Sequence, residues 1–198
     1  MGKLLHVWWL VLRAQRLLEL TAGVALLAAI VVAITSQVFT RYVFNRPIVW
    51  VEDAATFAFI WSVFLGAAVG LKDLRHVKVD TFLDKLGQRP RALVLALLDA
   101  VIVACCLVVA VQAWGVMDTE ARSETISLPI NVARHWFYSV PLFYALLSMA
   151  MTAGYFLVAH LHQAATGAPV EGEVVAAERI AADRAAEDAE FSQVEKVL

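Results

Sequence analysis

The chain is poor in charge and in the side chains that carry chemistry. Charged residues make up 17% of it and hydrophobic residues 61%. The apolar residues come in long blocks, which excludes a soluble globular domain and marks an integral membrane protein. There are two cysteines. Cys105 and Cys106 are adjacent and point in different directions on a helix, so they read as apolar packing residues rather than as a redox or metal pair. Five histidines, His6, His76, His135, His160 and His162, all fall at or beyond the ends of the blocks, away from the depths where a haem would be sandwiched between helices. With a formal net charge of −2, the chain also lacks the positive excess that a nucleic-acid partner would need. No catalytic residue, cofactor or metal site is read from it, and it is not expected to be an enzyme.

What is present is four apolar stretches: Leu20–Thr40, Ala54–Leu71, Ala92–Met117 and Trp136–Ala159. A transmembrane helix needs about 20 mostly apolar residues to cross a hydrocarbon core about 30 Å thick. Short alternating segments of the kind that build membrane barrels are missing. The fold class is therefore an all-α integral membrane protein with four transmembrane helices. The first stretch is longer than a secretory signal and runs into Gln37, Phe39 and Arg41 instead of a cleavage site, so it reads as a retained anchor.

Orientation follows from Lys and Arg counts, because basic loops resist translocation. The segment before the first span and the loop after the second hold nine of them, and the loops after the first and third hold four, Arg41, Arg46, Arg122 and Arg134. Both termini are accordingly expected in the cytoplasm, with the loops after spans one and three outside. Trp50, Trp114 and Trp136 fall at the outer ends, where indole favours the interface.

The chain divides into three parts. Residues 1–19 interrupt apolar residues with Arg13, Arg16 and Glu19, and are either an amphipathic helix lying on the inner leaflet or the first turns of a long helix; Trp8 and Trp9 favour the flat arrangement. Residues 20–160 are the four-helix membrane domain. Residues 161–198 form a cytoplasmic tail whose last part, Glu171–Leu198, has eight acids against three bases, expected to be disordered or a frayed helix.

Inside the spans Asp99 is the one acid. A carboxylate there calls for a partner, and the favoured role is a paired or protonated group that fixes helix contacts, with an ion or proton site as the alternative. Gly66 and Gly70 have the GxxxG spacing that lets another backbone approach closely. Arg41 closes the first span, Asn45-Arg46-Pro47 turns the chain, Trp50 anchors it at the interface, and Glu52 and Asp53 open the second span, where acids complement the helix dipole and lie near enough for Arg41 to pair with one of them.

The string RYVFNRPIVWVEDAATFAFIWSVFLGAAVGLKDLRHVKVD, residues 41–80, resembles the signature of the small membrane subunit of tripartite ATP-independent periplasmic (TRAP) transporters, the DctQ-like family. The resemblance runs through Arg41, Tyr42, Asn45, Pro47, Trp50, Glu52, Trp61, Phe64, Leu65, Gly66, Ala67, Lys72, His76, Val79 and Asp80. Asp53 stands where a second Glu is common, and Asp73 interrupts a region that is often more basic. The resemblance implies a secondary transporter of three parts in a bacterial inner membrane. A periplasmic substrate-binding protein captures an organic acid, a large membrane subunit carries it inward, usually driven by sodium, and the small subunit enlarges the static scaffold and helps dock the binding protein. On that basis Arg41 and Glu52 would shape the periplasmic surface, while Lys72, His76 and Asp80 would order the cytoplasmic loop against lipid head groups or the large subunit. Gly66 and Gly70 would permit close helix contact. The alternatives are a stand-alone four-helix anchor of a redox complex or small membrane enzyme, which would require a cofactor, and a small homo-oligomeric channel. Dicarboxylates, sialic acid and other keto or sugar acids all remain open as substrates.

Overall fold

A computed structural model describes residues 2–46, 48–73, 87–123 and 132–167, together with position 182. Four long helices make up almost all of it: α1 (Gly2–Phe44), α2 (Trp50–Lys72), α3 (Gln88–Glu120) and α4 (Ser139–Thr166), with a 3-10 turn at Arg134–Trp136 before α4. All four are long and apolar enough to cross a membrane. The acidic tail beyond residue 167 lies outside the described residues, apart from position 182.

Local chemistry explains where these helices stop. Asn45 has a positive φ of 48°, a conformation that its short polar side chain tolerates better than most, and it ends α1 ahead of the turn into α2. Glu52 and Asp53 lie in the first turn of α2, where they meet the positive end of the helix dipole. Pro90 and Pro141 each occupy the third position of a helix, α3 and α4 respectively, within the first turn where a missing N–H breaks no internal bond. At the end of α4, Gly167 takes the left-handed conformation (φ 75°) and donates its N–H to the Gln163 carbonyl at 2.7 Å, as C-terminal glycine caps do.

Of the two arrangements open for residues 1–19, the structure has the long helix. α1 runs as one 43-residue element, about 64 Å at 1.5 Å per residue, so there is no separate interfacial helix at its start. The apolar payload expected to lie on head groups is covered by α4 instead. Trp9 and Leu12 are buried with Tyr155, Phe156 and Ala159, and Leu5 and Trp8 pack against that cluster. Tyr155 stacks on Trp9 with ring centroids 5.8 Å apart and meets Trp8 edge-on at 5.9 Å.

The helices form an open row rather than a closed bundle. The most extensive contacts are α3 with α4 and α1 with α2, and α2 against α4 joins the two hairpins. Along its most apolar stretch α1 is the least buried of the four, and Val24, Leu27, Val31 and Val32 are all more than half exposed. In water such a surface would be a liability, but against lipid tails it is the expected outside of a spanning helix.

The two hairpins are also staggered. Half-way along α2, Trp61 meets Trp136 just before α4 begins, and Phe57 packs edge-on against Phe137 with centroids 5.0 Å apart. Lys72, the last residue of α2, reaches Ser148 in the middle of α4. About three turns of α2 therefore extend past the start of α4. Trp50 and Trp136, which look equivalent as span ends in the sequence, are not level along the helix axes, and bringing both to one membrane face requires the helices to tilt.

Candidate functional site

The described residues concentrate their buried polar chemistry where α1, α2 and α4 meet. Glu19 on α1 and Lys72 on α2 form an ion pair of 2.7 Å whose side chains are 1% and 3% exposed. A bare pair at that burial would not repay its lost hydration, so its remaining hydrogen-bonding groups need partners. They have them. Glu19 Oε1 accepts from the Ser148 hydroxyl at 2.7 Å, the Gln15 amide at 3.0 Å and the Tyr144 hydroxyl at 3.2 Å, while Oε2 accepts from Lys72 Nζ. Ser148 Oγ accepts in turn from Lys72 Nζ at 2.5 Å and Gln15 Nε2 at 3.1 Å, which uses both lone pairs of the hydroxyl as well as its proton.

One turn before Glu19, Arg16 grips Asp73 with two parallel bonds, Nε to Oδ1 at 2.5 Å and Nη2 to Oδ2 at 2.9 Å. Arg16 and Glu19 are three apart on one helix face, and Lys72 and Asp73 are consecutive at the end of α2, so the two pairs cross-match. Asp73, a departure from the basic pattern of the resemblance, is thus accommodated by a cation from α1.

Asp99 has a partner too. Its Oδ2 lies 2.7 Å from His160 Nδ1, joining α3 to α4, and the imidazole is 3% exposed and stacked near the Phe156 ring. His160, placed beyond the fourth span in the sequence, lies inside α4 because that helix continues to Thr166.

At the other end of the row the contacts are lighter. Gln37 donates to Glu52 at 3.0 Å, Trp61 Nε1 donates to the Trp136 carbonyl at 3.0 Å, and the Ser139 hydroxyl donates to Glu120. Arg41 and Glu52, expected to be near enough to pair, form no ion pair among the described residues: both are exposed, and Gln37 satisfies the carboxylate instead. Asn45 and Trp50 sit exposed around the turn. A Cβ built at Gly66 would meet nothing within 4 Å, so the close approach expected there is not made by this chain's own helices; Gly70 is half-buried. Pro47, His76 and Asp80 lie outside the described residues. No group of three or more potential metal ligands occurs among the described residues.

Glu19, Gln15, Arg16, Asp73, Tyr144, Ser148 and His160 are residues that sequence reasoning missed as site candidates. The signal for the first was a matter of one position. Glu19 directly precedes the uncharged run 20–40 and Lys72 directly follows the run 54–71, and in an antiparallel hairpin those two flanks are level. Tyr144 and Ser148 carry no such signal, being weakly polar residues within an uncharged run.

Residues 30–163 match the family described as "Tripartite ATP-independent periplasmic transporters, DctQ component". Over 120 residues the chain is 31% identical to the sialic acid TRAP transporter small permease protein SiaQ of Vibrio cholerae, covering 60% of this chain and 68% of that protein. Over 103 residues it is 33% identical to the C4-dicarboxylate TRAP transporter small permease protein DctQ of the same organism, covering 48% and 43%. A 132-residue stretch, 67% of the chain, is 23% identical to 21% of the sialic acid TRAP transporter permease protein SiaT of Haemophilus influenzae. Four apolar helices tied by buried polar joints, with the family match extending over most of that helical body, lead to one conclusion: the chain belongs to the DctQ family of TRAP transporter small permease subunits, and is a multi-pass membrane component of a transport system rather than an enzyme.

Proposed function

We propose that this chain is the static scaffold partner of the large membrane subunit in a TRAP-type secondary transporter, and that it helps dock a periplasmic substrate-binding protein. The transporter takes up an organic acid, such as a dicarboxylate or sialic acid, driven by sodium. The chain sits in the bacterial inner membrane with both termini in the cytoplasm, in keeping with nine Lys and Arg in the N-terminal segment and middle loop against four in the loops on the other side.

The observation that carries this reading is the contrast between α2's inner and outer faces. Its inner positions are buried against α1 and α4, yet the same central helix leaves Glu52, Thr56, Phe59, Val63 and Gly66 exposed along one stripe. Helical spacing puts those residues in line, and Gly66 has open space above it. A helix held on two sides and bare on a third suits a scaffold that receives a larger partner. The buried polar joints suit a body that does not move. Transport sites of secondary carriers use broken helices near the midplane, whereas α1 to α4 are each assigned as one continuous helix.

Co-purification with a tagged large subunit, followed by uptake in proteoliposomes containing the binding protein and an imposed sodium gradient, tests the assignment. Complex formation is expected from the two membrane subunits alone, and sodium-dependent uptake only when all three proteins are present. Gly66→Leu and Glu52→Ala are expected to weaken assembly or uptake; if both leave the complex and the transport rate unchanged, the exposed stripe of α2 is not the working surface.

A further inference from the structure

The joint between α1, α2 and α4 turns two oxygens onto one cation. A carboxylate oxygen of Glu19 and the Ser148 hydroxyl oxygen converge on one positive centre at 2.7 and 2.5 Å. The carboxylate's other oxygen is held in place by Gln15, Tyr144 and Ser148. A cavity of about 10 Å³ nearby is lined by Trp9, Leu12, Arg13, Arg16, Lys72 and Thr152, and by neither Glu19 nor Ser148. The ammonium group has three donors and gives two of them to Glu19 and Ser148. The positive centre is Lys72 Nζ. We infer that Glu19 and Ser148 form a small-cation binding site that the chain fills with its own tethered ammonium group.

Tethering has a physical consequence. A cation covalently attached to α2 binds intramolecularly, so its occupancy is set by chain geometry and not by the concentration of cations on either side of the membrane. The joint therefore stays closed while the ion gradient rises and falls. This inference goes beyond the proposed scaffold role and does not depend on the transported substrate or on docking of the binding protein.

Chemical rescue tests it. Lys72→Ala removes the atoms of one propylammonium ion and leaves the alanine Cβ. The full chain in lipid nanodiscs, followed by tryptophan fluorescence, to which Trp8 and Trp9 at the seat of α1 on α4 contribute, gives the readout. Lys72→Ala is expected to lower Tm by about 5–10 °C, and 50 mM propylammonium is expected to restore at least half of the loss. Tetramethylammonium at the same ionic strength, being too wide to enter and having no N–H to donate, is expected to restore none, and the native chain should respond to neither. In Glu19→Gln/Lys72→Ala, which lacks the carboxylate, the response to propylammonium should vanish. Equal effects of the two cations on Lys72→Ala, an unaltered Tm in that variant, or a propylammonium response that persists in the double variant would each overturn the inference. So would a Lys72→Ala chain that cannot be recovered folded even when prepared in propylammonium.

Discussion

The α1–α2 hairpin is tied near both of its ends by a polar contact to a glutamate, and the two ties differ in kind. At one end Glu19 is almost completely buried, takes four donors from three other residues of α1 and α4 and one of α2, and shares its charge with Lys72. Toward the other end Glu52 is exposed and takes one side-chain donor, from Gln37, among the described residues. The residue type is the same, but the exposure and the number of elements joined are not. A buried carboxylate left without its cation bears a desolvation cost that nothing offsets, whereas an exposed one exchanges a protein donor for water. The first contact therefore binds three helices into one unit, and the second adds little beyond the packing it accompanies.

The sharpest way to break this comparison is Lys72→Met. It strands the Glu19 carboxylate and is expected to cost about 3–5 kcal/mol, measured by denaturant unfolding in mixed micelles with tryptophan fluorescence. Glu19→Gln/Lys72→Met should recover most of that loss, because a neutral, similarly sized pair leaves no unpaired charge. Equal losses in the single and double variants would show that the charge pairing is not what holds the joint. Next in size is Asp99→Asn, which removes the charge but keeps the shape opposite His160. A loss of about 1.5 kcal/mol is expected in the same assay, with the α1–α2 hairpin unaffected. The smallest effect belongs to Gln37→Ala, at about 0.6 kcal/mol, the average for a polar contact between membrane helices. A loss there as large as that of Lys72→Met would erase the distinction between the two ends.

The residues differ in how far they could be read without the fold. Asp99 stood out as a charge within an apolar run, and its need for a partner was plain from the cost of burying it. Its partner was not, because His160 is 61 positions away and lay beyond the end of the apolar run that defined the fourth span. Glu19 and Lys72 were each visible as flanking charges, yet neither adjoining run shows that they are buried, since burial depends on α4 crossing both. Trp8 and Trp9 pointed toward head groups because indole suits an interface, and in the folded chain Tyr155 supplies the aromatic surface that the bilayer was expected to provide. The GxxxG spacing at Gly66 pointed to close helix contact, and this chain's own helices make none at Gly66.

By itself the sequence determined that this protein crosses a membrane in four helices, and the segment between Arg41 and Asp80 pointed to its family. Both are local properties. Hydropathy over about 20 residues decides insertion, and a helix satisfies its backbone hydrogen bonds within one segment. Only the tertiary structure decided the stagger of the hairpins, the seating of α1 on α4, and the pairing of Glu19 with Lys72 and of Asp99 with His160. Those contacts are set by the side chains that meet when helices distant in the chain pack together, and the energy of each depends on surroundings that no single segment contains.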